Sequence, residues 1–220
     1  MDSKVILYGD LLSQPVRAIH WFLILNKIPF ELKQVYLGKM ETRTEEFKKL
    51  NPLQKMPVIK YKGQIFIESH TILRLLAQEF KLDSFYSSTD VFERCKVDTY
   101  LDWHHLGLRC NAQSLFAQKY LTPKFGKELY NDNNLDAERN LPLGLHQIED
   151  VFLKGGANKF ITGDTITIAD LSCYCELEQL KGIQYDFKKY KVLYEWMGRM
   201  EQLEGYKESS VVINKVANEK

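Results

Sequence analysis

The period of hydrophobic and polar positions switches repeatedly through the first eighty residues. "VILYG" (Val5–Gly9) is a short β-rich run, and from Pro15 "PVRAIHWFLILNK" sets apolar residues at helical spacing. "PFELKQVYL" reads as a second strand and "TRTEEFKKL" as a short helix, whose Thr42 and Glu45 have the spacing of a capping box. In "PVIKYKGQIFIE" two β-rich runs flank Lys62-Gly63, which predicts a hairpin. "SHTILRLLAQEF" then opens a helix at Ser69. The order is β-α-β-α-β-β-α, ending near Phe80. Its βαβ start predicts a right-handed crossover and parallel strands whose C-terminal ends face a ligand crevice.

After that the pattern changes class. "KLDSFYSSTD" is polar and turn-rich, so residues 83–90 read as a linker. "VFERCKVDTYLDWHHLGLRCNAQSLFAQKY" predicts one long helix or two, interrupted or bent near Gly107. "DAERNLPLGLHQIEDVFLK" and "YKVLYEWMGRMEQL" predict two more, the first deformed by Pro142. Between them "GDTITIADLSCYCELEQLK" passes from loop to helix, with Thr167 and Asp170 spaced as a capping box that uses Asp. The expected fold class is α/β plus all-α: a small domain over residues 1–82 and a helical domain over 91–220. Neither internal repeats nor low-complexity tracts occur.

Composition narrows the function classes. The 220 residues are 45% hydrophobic and 27% charged with a net charge of +1, which makes nucleic acid and anionic membranes poor partners. The longest apolar run, Ile19–Leu25, is far too short to span a bilayer. An early acid and no long apolar stretch in "MDSKVILYGD" predict no secretory leader, hence a cytoplasmic protein. The four cysteines are Cys95, Cys110, Cys173 and Cys175, none in the first 94 residues. Cys173 and Cys175 diverge on a helix, so neither a metal site nor a disulfide is expected.

Three spots in the first domain could carry chemistry. Ser13-Gln14-Pro15 stands where strand gives way to helix, with Pro15 suited to the first helical turn. Ser13 either caps that helix or stands over a pocket, and the spacing leaves both open. "KMPV" (Lys55–Val58) precedes the hairpin, and a cis bond there would turn the Met56 backbone outward. "ESH" (Glu68–His70) opens the third helix, where Ser69 reads as the N-cap and free N–H groups could receive a carboxylate.

In this order and on these elements, "LLSQPVRA", "IPFE", "NPLQKMPV" and "ESHTIL" resemble the glutathione transferases, and the theta class in particular. "GDTITIAD" is similar to that family's capping motif in the helical half, so the resemblance runs from Val5 to about Glu201. It implies a thioredoxin-like N-terminal domain that binds glutathione and an all-helical C-terminal domain that shapes the second-substrate pocket. It also implies a homodimer, and glutathione as co-substrate without cofactor or metal. Ser13 would then donate a hydrogen bond to the glutathione sulfur, favouring the thiolate that is the nucleophile. Glu68 would take the γ-glutamyl ammonium and Ser69 the adjoining carboxylate. The Met56 backbone before Pro57 would pair with the cysteinyl part, Lys55 would lie near the glycyl carboxylate, and Gln14 would be a secondary polar contact.

Thr42 stands where theta enzymes commonly have a histidine, so Lys55 with Arg43 or Lys39 would have to supply the charge at the glycyl end. The second-substrate pocket is expected near Leu11, Leu12, His104, His105, Leu108, Arg109 and Phe116, with Trp103 beside them. The finish at Lys220 predicts a comparatively open pocket. Alkyl halides and epoxides are the expected electrophiles, with hydroperoxide reduction possible for such a site. Omega- and beta-type relatives carry a cysteine at the Ser13 position, so thiol–disulfide exchange is disfavoured. The alternative is a non-catalytic ligand carrier or scaffold of the same fold.

Overall fold

The structure is a computed structural model, and it describes residues 4–130 and 134–219. Asp2, the early acid noted above, and Lys220 lie outside them.

Strands β1 (Val5–Gly9), β2 (Phe30–Gln34), β3 (Val58–Tyr61) and β4 (Gln64–Ile67) form one sheet in the order β2-β1-β3-β4. β1 and β2 are parallel, with Leu7 opposite Leu32, while β3 runs antiparallel to both β1 and β4. The β3–β4 turn is the expected hairpin: Lys62 and Gly63 both have positive φ, 48° and 79°, the backbone of a type I′ turn. Helices α1 (Gln14–Leu25) and α3 (Ser69–Glu79) bury Ile19, Phe22, Leu73 and Leu76 in the core that holds Val5, Leu7 and Ile59. α2 (Glu45–Leu50) closes a separate small core through Phe47, Val35 and Val58. Gly9 lets β1 meet α1, because a Cβ there would lie 2.6 Å from Val16 Cγ2.

Two helix starts differ from those expected from the sequence. The cap of α2 is Thr44, whose Oγ1 accepts the Phe47 N–H at 3.2 Å; Thr42 sits in a preceding 3₁₀ turn, Glu41–Arg43. Thr44 wins because it puts Glu45 and Glu46 in the first turn, where the helix dipole favours acids. Ser69 is the first helical residue of α3 and not its cap. The cap position belongs to Glu68, whose φ of 67° with ψ of 113° is a rare conformation for a residue with a Cβ.

The helical half begins with α4 (Val91–His104), capped by Asp90 Oδ1 on the N–H groups of Phe92 and Glu93. It continues without a break through a π turn (His105–Arg109), α5 (Cys110–Phe116), a second π turn (Ala117–Leu121) and α6 (Thr122–Phe125). The expected interruption near Gly107 is therefore a widened turn and not a gap. A Cβ on Gly107 would fall inside the Trp103 indole, and one on Gly144 would lie 2.5 Å from the Gly107 carbonyl oxygen. α7 (Ala137–Gln147) carries Pro142 inside it and ends in a third π turn, Ile148–Phe152. α8 (Ile168–Gly182) is buried at every position except Lys181. α9 (Lys191–Met200) follows, and then α10 (Tyr206–Asn218), a helix the sequence reading lacks.

α8 joins the halves. Its first turn is the expected Thr167–Asp170 capping arrangement: Asp170 Oδ2 accepts the Thr167 N–H at 2.9 Å and its hydroxyl at 3.1 Å. Oδ1 accepts the Ile161 N–H at 2.8 Å and the Trp196 indole at 3.0 Å. Burial pushes this carboxyl up to about 6 despite four donors that favour its anion. The stretch read as a linker is docked: Phe85 and Tyr86 are buried, Phe85 packs edge-on against Phe22, and its carbonyl accepts the Ile168 N–H.

Candidate active site

The C-terminal end of β1, the start of α1, the segment before β3 and the start of α3 converge on one cleft, as the strand order requires. Two connected cavities occupy it. The smaller, about 190 Å³, is lined by Lys55, Met56, Pro57, Glu68 and Ser69, with His70 and His104 behind them. The larger, about 520 Å³, is lined by Ser13, Thr42, Arg43 and Cys110, with Phe116, Leu121, Leu129 and Tyr130 toward its apolar end. Gln14, Pro15, Lys55, Met56, His105 and Arg109 line both and form the passage between them.

Ser13 sits at the N-cap position of α1 with extended backbone, φ −80° and ψ 121°, yet its hydroxyl makes no cap hydrogen bond. Pro15 explains this in part, since it removes one of the N–H groups a cap would serve. Ser13 lines the larger cavity, and its hydroxyl has no hydrogen-bond partner among the described residues. The Met56–Pro57 bond is cis, and both residues precede β3 and take no part in its pairing. Lys55 forms no ion pair among the described residues. Arg43 reaches the Glu128 carbonyl, while Lys39 stacks on the Tyr36 ring at 4.2 Å and lines neither cavity.

Other expected site residues are committed elsewhere. Gln14 is buried, its amide donating to the Ser172 carbonyl at 3.1 Å and accepting from Arg109. Arg109 also pairs with Glu176 at 2.7 Å, so part of its guanidinium braces α8. His104 is 1% exposed, with Nε2 3.4 Å from Glu176 and Nδ1 3.1 Å from the Tyr100 hydroxyl. Burial holds His104 below the usual imidazole range although Glu176 pulls the other way. Burial would raise Glu176, but Arg109 and His104 outweigh it and keep it ionised. Leu11 and Leu108 line neither cavity: Leu108 is fully buried in the main core and Leu11 is a core residue as well. Leu12 and Phe116 do line the larger cavity, from a second core cluster. His105 is exposed at the passage, its pKa lowered by burial and then by Arg109.

Several residues that build this site, among them Asp10, His70, Arg17 and Cys110, are not among those expected from the sequence. Asp10 fastens the β1–α1 loop, accepting the Leu12 N–H at Oδ1 and the Leu37 N–H at Oδ2, both at 3.0 Å. His70 packs against His104 and His105, with ring centroids 5.1 and 4.8 Å away, and Nε2 lies 2.8 Å from Ser172 Oγ. Arg17 is fully buried beneath the loop. Its signal was available, since it is the one Lys, Arg, Asp or Glu in α1 and a lone buried charge demands partners. Cys110 contributes a thiol that burial holds above its usual pKa, 2.7 Å from the Leu106 carbonyl. No group of His, Cys, Asp and Glu among the described residues could hold a metal ion, and none of their helices is long and apolar enough to cross a membrane.

Comparison with known proteins decides the family. Models of the glutathione S-transferase N-terminal and C-terminal domains match residues 14–79 and 116–209. Glutathione S-transferase theta-1 of Bos taurus is 37% identical over 201 residues, covering 90% of this chain and 83% of that one. The chain belongs to the glutathione S-transferase family. Glutathione S-transferase T2 of Arabidopsis thaliana is 37% identical over 180 residues, 81% of this chain but 30% of that longer protein. The structure of human glutathione transferase theta-2, in complex with glutathione and an unknown ligand, superposes with a TM-score of 0.88 at 31% identity. It covers 97% of this chain and 89% of that one. This glutathione S-transferase thus has the family's fold, and its curated relatives are of the theta class.

Proposed function

We propose that this glutathione transferase joins the glutathione thiolate to small apolar electrophiles, alkyl halides and epoxides foremost, with hydroperoxides reduced at the same centre. The observation that carries the proposal is Ser13, a residue at a helix start that lines the larger cavity and whose hydroxyl is unspent on the cap. A free thiol ionises near pH 8.5. An O–H donor beside the sulfur, backed by the N-terminus of α1, favours the anion and so raises the thiolate population at neutral pH.

The charges around the smaller cavity suit a tripeptide with one ammonium and two carboxylates. Glu68 receives the ammonium, and Ser69 with the free N–H groups of α3 receives the neighbouring carboxylate. Met56 offers its backbone to the cysteinyl part. Lys55 and Arg43 supply charge at the glycyl end, where Thr42 offers only a neutral hydroxyl. The electrophile then lies toward Phe116, Leu121 and Leu129, where apolar walls favour carbon-rich molecules. Leu129 and Tyr130 line the same larger cavity.

A thiol absorbance titration of bound glutathione tests the centre directly. The bound thiol ionises at least one pH unit lower than free glutathione, about the shift that one strong donor gives. An unshifted titration with saturable binding means a ligand carrier instead. We further infer a cytoplasmic homodimer. Leu53 and Ile65 on the sheet domain and Phe92 and Leu106 on the helical half are exposed apolar side chains that a second copy would bury. Sedimentation at micromolar concentration showing only monomer removes that inference.

A further inference from the structure

We propose that Arg17 is the positioning residue of Ser13, fixing from below the loop that aims its hydroxyl. This rests on the reading of Ser13 as donor to the glutathione sulfur. Arg17 Nη1 donates to the Leu11 carbonyl at 2.9 Å and to the Leu12 carbonyl at 3.1 Å. Nη2 donates to the Cys175 carbonyl at 2.8 Å, and Nε to Glu178 Oε2 at 2.9 Å. Cys175 and Glu178 both lie on α8, so one buried guanidinium ties the β1–α1 loop to the helix that runs under both halves.

The peptide joining Leu12 to Ser13 is held at both ends. Its oxygen is the Leu12 carbonyl on Arg17, and its N–H is that of Ser13, which donates to the Asp10 carbonyl at 2.9 Å. A planar peptide held at oxygen and nitrogen fixes the place of the Ser13 Cα, and the Ser13 carbonyl, which accepts the Arg17 N–H at 3.1 Å, holds the far side of the residue. The hydroxyl itself makes no cap bond. Its placement is therefore set by the backbone that carries it, and that backbone by Arg17 and Asp10.

Stability alone does not account for this arrangement. A buried ion pair is often matched or bettered by apolar residues of similar volume. Here Glu178 Oε1 has no hydrogen-bond partner among the described residues, so the pair is incompletely satisfied. What an apolar pair could not do is hold three carbonyls in place at once. A lysine could not either, since it is a point charge on a flexible stem and not a planar fork.

The test is a cycle of four proteins: the native chain, Arg17→Lys, Ser13→Ala and the double variant. Each is titrated for bound glutathione thiol and assayed for kcat and KM. Arg17→Lys is expected to raise the thiol pKa by about one unit, about tenfold less thiolate at pH 6.5, with KM for glutathione unchanged. In the Ser13→Ala background the same change is expected to move the thiol pKa by less than about 0.2 units, because the positioned group is gone. Equal shifts in both backgrounds, or none in the first, overturn the role of Arg17 and leave the serine reading standing. A thiol pKa indifferent to Ser13→Ala overturns the serine reading and the proposal with it. Arg17→Met with Glu178→Leu removes both buried charges together and provides the same cycle should Arg17→Lys fail to fold.

Discussion

At the end of the cleft proposed to take the tripeptide, the lining groups stand at chain reversals. Ser13 ends the β1–α1 loop, Met56 precedes β3, and Glu68 and Ser69 open α3. At the end proposed to take the electrophile they are side chains on one continuous helical path and the loop after it, among them Phe116, Leu121 and Leu129. The first kind of site recognises through backbone groups and fixed charges and tolerates one ligand. The second recognises through apolar surface and accepts many. One end is therefore expected to fix the chemistry and the other the range of substrates.

Ser13→Ala should have the largest effect. Losing one donor to a stabilised anion lowers turnover by about 10²-fold, close to 3 kcal/mol, and should do so for every electrophile alike. Loss confined to one substrate would move Ser13 from the chemistry to the pocket and dissolve the contrast between the two ends. Glu68→Gln comes next. It keeps the size of the side chain and removes the charge that meets the ammonium, worth about 2 kcal/mol for a charge-assisted bond. KM for glutathione should rise about 30-fold with KM for the electrophile little changed. A reversed split would place Glu68 outside the tripeptide end.

These two ends were not equally legible from the sequence. Ser13, Met56–Pro57 and Glu68–Ser69 can be found because strand–helix junctions have their own residue chemistry, with proline in a first turn and acids or hydroxyls at helix starts. The helical face could not be found so well. Spacing of i, i+4 puts His104 and Leu108 together, but the π turn at His105–Arg109 adds a residue to that turn. His104 ends up against Glu176 and Leu108 in the core. α10 escapes notice because Val211, Val212 and Ile213 are consecutive branched residues that favour strands. Arg109 and Gln14 can be placed at the cleft by sequence, but their bonds to Glu176 and Ser172 depend on α8, about 65 and 160 residues away.

His70 lies where the two ends meet, and its titration tests how firmly they are joined. It faces His104, His105, Arg74 and Arg109, all neutral or cationic, with Ser172 Oγ on Nε2. Burial and then those groups lower its pKa from 6.5 to about 2. In the unfolded chain the ring takes a proton near pH 6.5, whereas in the folded one it stays neutral. Its contribution is thus complete above pH 6.5 and is lost as the pH falls toward 2, by about 1.4 kcal/mol per pH unit. Urea unfolding at pH 6 and pH 5 should show that slope added to those of His20, whose pKa burial lowers to about 4, and of His104 and His105, also lowered by burial. Asp170, whose carboxyl burial raises to about 6, opposes them. His70→Gln, which can still bond Ser172, should reduce the net slope by about 1.4 kcal/mol per pH unit. An unchanged slope would mean that protonation of His70 does not part the halves.

Leu129→Ala should have the smallest effect and discriminates most finely. Leu129 is half-buried on the loop after α6, at the apolar end of the larger cavity. It packs against the small cluster of Leu12, Phe116 and Leu121, not the main core. Truncating a partly exposed leucine forfeits only part of the full burial energy, about 1 kcal/mol of contact with an apolar ligand. KM should therefore rise about fivefold for a bulky aromatic epoxide and hardly at all for a short alkyl halide, which does not reach that wall. The bound-thiol titration should stay unchanged, because Leu129 lines the larger cavity but neither the smaller one nor the passage. If the thiol pKa moved with Leu129, the loop would be shaping the tripeptide end as well. The two ends would then be one recognition surface whose apolar wall takes part in setting the nucleophile.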